Sequence, residues 1–207
     1  MKINYYGHSC FTVTAGDFVA AIDPYDSLPG YQPLKLAANA VYCSHAHSDH
    51  GYTDAVSVTE GENPFAVTEV ETFHDDLMGR QRGKNIARIF ECDGLRVMHL
   101  GDLGHSFSQK QIEQIGKVDI LLVPVGGYYT IDATTAVRVV LQLDPTVVIP
   151  MHYSGKNFGF DEIAHVDEFL TKIRPYYPVV KADVNEFDTE NIKKQAVVLK
   201  YQGGTNQ

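Results

Sequence analysis

Short apolar runs separated by turn residues dominate the first hundred positions of the chain. The pattern predicts strands over residues 3–6, 10–14, 18–22, 40–43, 65–67, 69–73, 87–92 and 95–100. Two turn signals, Ala15-Gly16-Asp17 and Asp93-Gly94, separate neighbouring strands as hairpins. A short helix is predicted over 34–38. This half of the chain is therefore expected to form strand meanders.

The pattern changes after residue 108, where apolar positions at helical spacing alternate with apolar strands. Helices are predicted over 108–115 and 132–143, with Asp132 as the N-cap of the second. Asp161 is expected to cap a third helix, in which four apolar residues share one face: Ile163, Val166, Leu170 and Ile173. The remaining strands are predicted over 120–125, 146–149 and 196–201. The two halves together predict one α/β domain over residues 1–207, with sheets packed on each other and helices outside.

Composition restricts the class of partner. The 207 residues are 44% apolar and 21% charged, which is typical of a folded domain with a sizeable core. Lysine and arginine number 17 against 26 aspartate and glutamate, so the formal charge of -9 argues against a nucleic-acid partner. No run has the apolar character of a secretory signal or a membrane span, so we expect a cytoplasmic protein. The three cysteines are widely spaced, and we expect no disulfide.

The densest chemical signal is the run His45-Ala46-His47-Ser48-Asp49-His50, which follows an apolar stretch over 39–43. Alternation along an extended strand end places His45 and His47 on one side, where two imidazoles can bind one cation. Asp49 and His50 fall on the following turn and face a neighbouring position. The spacing therefore predicts two adjacent metal ions, and paired metals favour hydrolysis. A solvated histidine loop is the competing interpretation.

Three more ligand-type residues close apolar segments further along the chain. His74 follows 69–73, Asp102 follows Gly101 after 95–100, and His152 follows the most apolar strand of the chain. Because each of these side chains stands at a strand end, we expect the loops to assemble one centre with the histidine run.

The order of these residues resembles the metallo-β-lactamase superfamily, whose members carry His-x-His-x-Asp-His, a later His, a Gly-Asp and a last His after a strand. Four shorter strings are similar to the branch that includes L-ascorbate 6-phosphate lactonases and many uncharacterised metal-dependent hydrolases. They are Gly7-His8-Ser9-Cys10-Phe11, Arg82-Gly83-Lys84-Asn85, Gly126-Gly127-Tyr128-Tyr129-Thr130 and Ile149-Pro150-Met151-His152-Tyr153. The resemblance covers most of the chain and implies a four-layer αββα sandwich.

The resemblance also implies a ligand set. One metal would be held by His45, His47 and His74, the other by Asp49, His50 and His152, with Asp102 as the bridge. Zinc is the expected metal for both sites, and manganese or iron also suit the second. Water between the ions would be a nucleophile at neutral pH, and Asp49 would orient it or accept its proton. Superfamily members that use two irons carry Glu at the place of His47, so this histidine favours hydrolysis.

Several histidines leave alternatives open. His99 and His105 flank the Gly-Asp turn, and either is an alternative to His74 at the first metal. His8 and His105 are further candidates for catalysis, with orientation of a metal ligand as the competing role for both. His165 is expected on the surface.

The candidates for substrate binding are basic and aromatic residues close to the ligands in sequence: Arg82, Lys84, Tyr129 and Lys156. A basic rim would bind a phosphate or carboxylate. A solvated loop is the alternative for Lys84, and a buried aromatic pair is the alternative for Tyr129. We expect hydrolysis of a small anionic ester, lactone or phosphoester, with no membrane or nucleic-acid partner. A nucleic-acid-processing phosphodiesterase and a non-catalytic metal-binding protein are the rivals, and homo-oligomerisation stays open.

Overall fold

The computed structural model describes residues 1–201. The strands of this part of the chain are β1 (Lys2–Gly7), β2 (Cys10–Ala15), β3 (Phe18–Ile22), β4 (Leu36–Ala38), β5 (Ala40–Tyr42), β6 (Val56–Val58), β7 (Ala66–Phe73), β8 (Lys84–Cys92), β9 (Leu95–His99), β10 (Ile120–Pro124), β11 (Val147–Met151), β12 (Val179–Lys181), β13 (Glu186–Asp188) and β14 (Gln195–Val198). The helices are α1 (Gln109–Ile115), α2 (Ala133–Leu143) and α3 (Val166–Ile173), and a 3₁₀ turn covers Thr53–Ala55.

Two sheets form a sandwich. The five-stranded sheet has the order β13-β1-β2-β3-β5, and the seven-stranded sheet has the order β12-β14-β11-β10-β9-β8-β7. The first is an antiparallel meander to which β5 adds in parallel to β3. In the second, β9, β10, β11 and β14 are parallel and β7 and β8 form an antiparallel extension. β4 and β6 pair separately.

Strand β10 joins the core of the sandwich to its outer layer. All five of its residues are buried, and alternate side chains point to opposite faces of the sheet. Ile120 and Leu122 pack in the core shared with the five-stranded sheet, whereas Leu121 and Val123 pack in the core that includes Val140 of α2. The helices lie outside, since α1 contacts β7, α2 contacts β10, and α3 packs on α2. The prediction of packed sheets with helices outside is confirmed.

Strand direction decides which loops meet. β7 is antiparallel to β8, and β8 is antiparallel to β9, so β7 points the same way as β9, β10 and β11. Their carboxyl ends therefore lie along one edge of the seven-stranded sheet. β3 and β5 also end side by side, where the Asp23 N–H donates to the Tyr42 carbonyl at 3.0 Å. The ligand-type residues of the sequence follow these strand ends.

Two helical predictions were wrong. Residues 36–38 form β4, in which Leu36 and Ala38 are buried and Ala37 is exposed, the two-residue period of a strand. Asp161 does not cap α3, because that helix begins at Val166 and residues 161–165 are held in an irregular conformation. There the Ala164 N–H donates to the Gly126 carbonyl at 2.7 Å. The predicted strands over 65–67 and 69–73 are one strand, β7, which pairs with β8 along its length.

Two other local predictions, a turn and a helix cap, are confirmed. Asp93 and Gly94 have φ values of 52° and 74° in the turn between β8 and β9. Asp132 caps α2, its side chain accepting a hydrogen bond from the backbone of Thr135. The three cysteines are free thiols. Among residues 1–201, no helix combines the length and the apolar character that a membrane span requires.

Candidate metal centre

The loop after β5 turns tightly and separates its four ligand-type side chains into two groups. The N–H groups of His50 and Gly51 both donate to the His47 carbonyl, at 2.9 and 2.7 Å. His45 and His47 thereby join His74, and the ligand atoms of these three residues lie within 4.8 Å of one another. We call them the outer cluster, because His47 is exposed and His45 is half-buried.

A second group lies deeper in the molecule. Its ligand atoms also lie within 4.8 Å of one another, and we call it the inner cluster: His8, Asp49, His50 and His152. The three imidazoles are 0% exposed and the Asp49 side chain is 23% exposed. Asp49 Oδ2 is 3.4 Å from His8 Nε2 and 3.6 Å from His50 Nε2. The loops of three separate strand ends are therefore needed to build this group.

Asp102 lies between the two clusters. Its Oδ2 is 3.0 Å from Nε2 of His74, in the outer cluster, and 3.4 Å from Nε2 of His152, in the inner cluster. Its Oδ1 is 3.2 Å from His50 Nε2. One buried carboxylate thus faces both clusters, as a bridging ligand requires.

The polar atoms of these residues are arranged to bind cations rather than to form hydrogen bonds with one another. Within the described residues, buried nitrogen and oxygen atoms without a hydrogen-bond partner include both ring nitrogens of His8 and His152, Nε2 of His45 and His50, and Oδ1 of Asp102. An unpaired buried polar atom costs about 1–3 kcal/mol. Two ligands that each lie about 2.1 Å from one ion are roughly 3.0–3.6 Å apart, the range of the separations around Asp49 and Asp102. The residues present therefore fit divalent metal ions.

A buried pair behind the clusters orients one histidine of each. Asp23 Oδ2 accepts hydrogen bonds from His50 Nδ1 at 2.8 Å and from Ser44 Oγ at 2.7 Å, and Oδ1 accepts from the Ser44 N–H at 2.6 Å. Ser44 Oγ is also 3.0 Å from His45 Nδ1. The Asp23–Ser44 pair therefore holds the Nδ1 side of both imidazoles, which leaves both Nε2 atoms for a cation.

Asn85 and Gly101 fix the position of Asp102. The Asp102 N–H donates to Asn85 Oδ1 at 2.9 Å, while Asn85 Nδ2 donates to the Leu100 carbonyl at 2.8 Å. Gly101 has a φ of 55°, and a Cβ at this position would overlap the side chains of Asn85 and Ser44. Only glycine allows this turn, and the turn aims the Asp102 carboxylate inward.

Burial and neighbouring charges set the protonation of the centre. Burial and the adjacent His152 lower the pKa of His8 to about 3, and burial and His50 lower the pKa of His45 to about 4. Both rings are therefore neutral at neutral pH, the form that binds metals. Burial alone would raise the pKa of Asp102, but His152 and His50 outweigh it and hold this pKa well below its usual range.

A hydrogen bond to the backbone fixes the tautomer of His74 in the outer cluster. Its Nδ1 lies 3.0 Å from the Tyr129 carbonyl and donates to it. That bond leaves Nε2 directed at Asp102, 3.0 Å away. The sequence left the third imidazole of the first metal open among three histidines, and the structure brings His74 to that place.

His99 and His105 instead use both ring nitrogens on backbone groups. His105 Nε2 accepts from the Phe73 N–H at 3.1 Å, and Nδ1 donates to the Ser106 carbonyl at 2.8 Å. His99 makes two corresponding bonds, one of them from the Gly101 N–H at 3.0 Å. The structure brings neither ring into a cluster, so the catalytic role predicted for His105 has no support in the geometry.

Three side chains lead from the inner cluster towards solvent, and we call them the rim. The Phe160 ring lies 5.7 Å from His8 and 5.9 Å from Tyr129, and Arg82 Cζ lies 5.7 Å above the Tyr129 ring. Arg82 and Tyr129, two of the predicted substrate-binding residues, are linked to the outer cluster through the hydrogen bond of the Tyr129 carbonyl with His74. A guanidinium above an aromatic face is held by a cation–π attraction.

The other two predicted substrate-binding residues lie elsewhere. Lys84 Nζ is 3.9 Å from Glu71, and both side chains are exposed. Lys156 is exposed and lines a surface cavity with Asp161 and His165. None of the contacts found among residues 1–201 joins either lysine to the clusters, so the geometry gives no support to a substrate-binding role for them.

The loop that carries Arg82 is built around Asp75. This carboxylate accepts four hydrogen bonds from backbone N–H groups, including one from Arg82 at 2.7 Å and one from Leu77 at 2.8 Å. Although burial acts in the opposite direction, these N–H groups lower the pKa of Asp75. The Asp75 loop is thereby fixed directly after the ligand His74.

Sequence reasoning missed the support for the ligands. Ser44 and Asp75 stand next to ligands in sequence, a position that could have identified them. Asn85 lies in a string quoted only for its resemblance to a branch of the superfamily. Phe160 carries no local signal.

Comparisons with known proteins identify relatives of the chain. Residues 2–152 match the family model described as a Beta-lactamase superfamily domain. A solved structure from Thermotoga maritima, described as a candidate Zn-dependent hydrolase of the metallo-β-lactamase superfamily, is 34% identical with a TM-score of 0.75, covering 97% of this chain and 99% of that one. A UPF0173 metal-dependent hydrolase from Alkaliphilus metalliredigens is 27% identical over 74% of this chain and 86% of its own length. Another, from Carboxydothermus hydrogenoformans, is 26% identical over 90% of each chain.

Proposed function

The chain belongs to the metallo-β-lactamase superfamily and is a metal-dependent hydrolase, and we propose that it uses two metal ions to cleave a small anionic ester, lactone or phosphoester. The placement of Asp102 between the outer and inner clusters carries this proposal. Seven side chains of the ligand set converge there, whereas a structural zinc site is satisfied by four. The excess favours two catalytic ions over one structural ion.

In this proposal each ion has its own ligands. The outer ion is held by His45, His47 and His74, the inner ion by Asp49, His50 and His152, and Asp102 is shared. Zinc is the expected metal, since imidazole-rich sites suit it and the Thermotoga maritima relative is described with zinc; manganese or iron also suit the inner set. Two bound divalent ions lower the pKa of water and polarise the oxygen of the bond to be cleaved.

Asp49 is assigned the orientation of the attacking water and the uptake of its proton. Its side chain is the part of the inner cluster that reaches solvent, at 23% exposure. Burial raises its pKa, but His8 and His50 lower that pKa by more, so the carboxylate is ionised at neutral pH. An ionised carboxylate at this place can orient water by accepting a hydrogen bond and can take up its proton.

Arg82 is assigned the binding of the substrate anion. Its guanidinium is held above Tyr129, whose carbonyl accepts the His74 hydrogen bond, so the cation is linked to the outer cluster through one residue. A guanidinium binds a phosphate or carboxylate with two parallel hydrogen bonds. Tyr129 and Phe160 supply flat apolar surface beside it. A small substrate with an anionic group fits this rim, while the formal charge of -9 disfavours a nucleic acid.

The test combines metal analysis with a substrate panel. Purified protein is expected to bind two equivalents of zinc and to hydrolyse members of a panel of lactones, carboxylate esters and phosphomonoesters and phosphodiesters. Asp49→Asn is expected to lower kcat by at least about 100-fold, the scale of general base catalysis. Asp161→Asn is the matched control, because Asp161 is an exposed carboxylate outside both clusters.

Three outcomes would contradict the proposal. One equivalent of metal would exclude the dinuclear centre. Hydrolysis of RNA or single-stranded DNA, weakened by added salt, with no activity on small substrates would favour the phosphodiesterase alternative. Wild-type rates in Asp49→Asn would remove the assigned role of that carboxylate.

A further inference from the structure

His8 is held at the inner cluster by an unusual backbone. A register shift between Tyr5 and Gly7 interrupts the pairing of β1 with β2 immediately before it, and such bulges redirect side chains. His8 itself has a φ of 53°, a left-handed conformation that a histidine rarely adopts. Its carbonyl accepts hydrogen bonds from Tyr5 Oη at 3.1 Å and from the His152 N–H at 2.8 Å. The fold therefore fixes this residue in an unfavourable conformation, which needs a compensating interaction.

The His8 ring has no ordinary polar partner. It is 0% exposed, and neither ring nitrogen makes a hydrogen bond within the described residues. Its ring centroid lies 4.1 Å from that of His152 and 5.2 Å from that of His50. A buried imidazole without partners is costly beside two other imidazoles that also lack a partner for Nε2. One cation among them would give one nitrogen of each of the three rings a partner.

The distances distinguish a shared ion from a direct bond. His8 Nε2 lies 3.4 Å from Asp49 Oδ2, which is long for a hydrogen bond between an imidazole and a carboxylate. It falls between the 3.2 Å that separates His50 Nε2 from Asp102 and the 3.6 Å that separates it from Asp49. His8 is thus spaced from Asp49 as the expected ligands are spaced from one another.

We propose that His8 is a direct ligand of the inner metal ion, which makes the inner set His8, Asp49, His50, His152 and the shared Asp102. The inference rests on the proposed dinuclear centre and adds a residue to it. The inner ion then has five protein ligands and the outer ion has four. An open coordination position, which a catalytic ion needs for water or substrate, is therefore more available at the outer ion, on the exposed side.

Nuclear magnetic resonance of the cadmium-substituted protein tests this directly. Protein with nitrogen-15 histidine is loaded with cadmium-113, a spin probe that occupies zinc sites. One-bond coupling between cadmium and a ring nitrogen appears only for a histidine that coordinates the ion. We expect six coupled histidines, namely His45, His47 and His74 on one cadmium and His8, His50 and His152 on the other. A hydrogen-bonding role for His8 would leave its ring uncoupled.

Two variants complete the test. His8→Gln is expected to abolish one coupling and to lower the affinity for the inner cadmium about 100-fold. That is the upper end of the loss seen when a residue that only orients a metal ligand is removed. The outer cadmium should keep its three couplings. His165→Gln, at an exposed histidine, is the control and should retain all six. Cadmium coupled to His50 and His152 but not to His8 would overturn this inference and leave the dinuclear proposal intact. Absence of any cadmium coupled to His50 and His152 would overturn both.

Discussion

The outer and inner clusters each contain three histidines, to which the inner cluster adds Asp49, and they differ in what surrounds them. The outer cluster includes an exposed His47 and a half-buried His45, whereas the inner imidazoles are 0% exposed. The inner cluster also concentrates unusual backbone: His8 and His152 have φ values of 53° and 52°, and Asp23 behind them has 47°. No outer ligand is among the described residues with a positive φ. The inner cluster is therefore costlier to form than the outer cluster, which is more open to solvent.

In the proposed dinuclear centre, this difference would give the two ions separate tasks. Each left-handed residue in the inner cluster costs about 1 kcal/mol or more, and its unpaired ring nitrogens add to that cost. A bound inner ion would offset part of both costs and thereby stabilise the fold. The proposed outer ion would have less to stabilise, and the exposure of His47 would favour exchange with water and substrate.

Loss of Asp102 is expected to have the largest effect because this residue serves both clusters. Asp102→Ala should lower the bound zinc from two equivalents to less than one and kcat/KM by about 1,000-fold, since several kcal/mol of metal stabilisation disappear. Metal analysis and steady-state kinetics measure both. Two retained zinc ions in this variant would show that the clusters do not share a ligand. Asp161→Ala should behave as wild type.

A matched pair of histidine variants tests the difference in burial. In chelator-treated protein, His50→Ala removes the imidazole that lies 2.8 Å from the buried Asp23 carboxylate and leaves only the two hydrogen bonds from Ser44. Breaking such a buried pair costs about 3–5 kcal/mol. Thermal unfolding should therefore shift down by about 10 °C. His47→Ala changes an exposed ring and should shift stability by less than about 0.5 kcal/mol. Equal shifts for the two variants would contradict the distinction between the clusters.

The Asp23–Ser44 pair joins the clusters, so its loss should affect both to a moderate degree. Asp23→Asn keeps the shape but exchanges an acceptor oxygen for a donor towards His50 or Ser44. The affinity for zinc should fall about 10- to 100-fold, as is typical when a partner of a metal-binding histidine is changed. Competition with a zinc chelator measures the two affinities separately. Ser44→Ala should weaken the outer ion, because His45 loses its partner at 3.0 Å.

The sequence identifies most residues of the two clusters but not the residues that hydrogen-bond to them, for a physical reason. A candidate ligand can be recognised by its residue type at the end of an apolar strand, as with His74 and His152. The hydrogen bond from the Asp102 N–H to Asn85 spans 17 residues, and the contact of Phe160 with His8 depends on the whole tertiary structure. No local pattern carries such information.

The range of the interactions also explains which turns, caps and strands could be predicted correctly. The turn at Asp93-Gly94 and the cap at Asp132 depend on local geometry, and both are confirmed. Residues 34–38 resemble a short helix in isolation, but Leu36–Ala38 pairs with Val56–Val58 instead. Pairing across 20 residues decides this conformation, because a three-residue segment has too little local preference of its own.

The smallest expected effect lies at the rim and concerns binding alone. Arg82→Gln removes the guanidinium but keeps the backbone N–H that donates to Asp75 at 2.7 Å, so the Asp75 loop should stay in place. Arg82 is assigned only the binding of the substrate anion, so KM should rise about tenfold with kcat nearly unchanged. Arg80→Gln makes the same charge change at an exposed position of the same loop and should leave KM as in wild type. A fall in kcat with unchanged KM in Arg82→Gln would contradict this expectation. It would show that the guanidinium stabilises negative charge that develops only in the transition state, at the open side of the proposed outer ion.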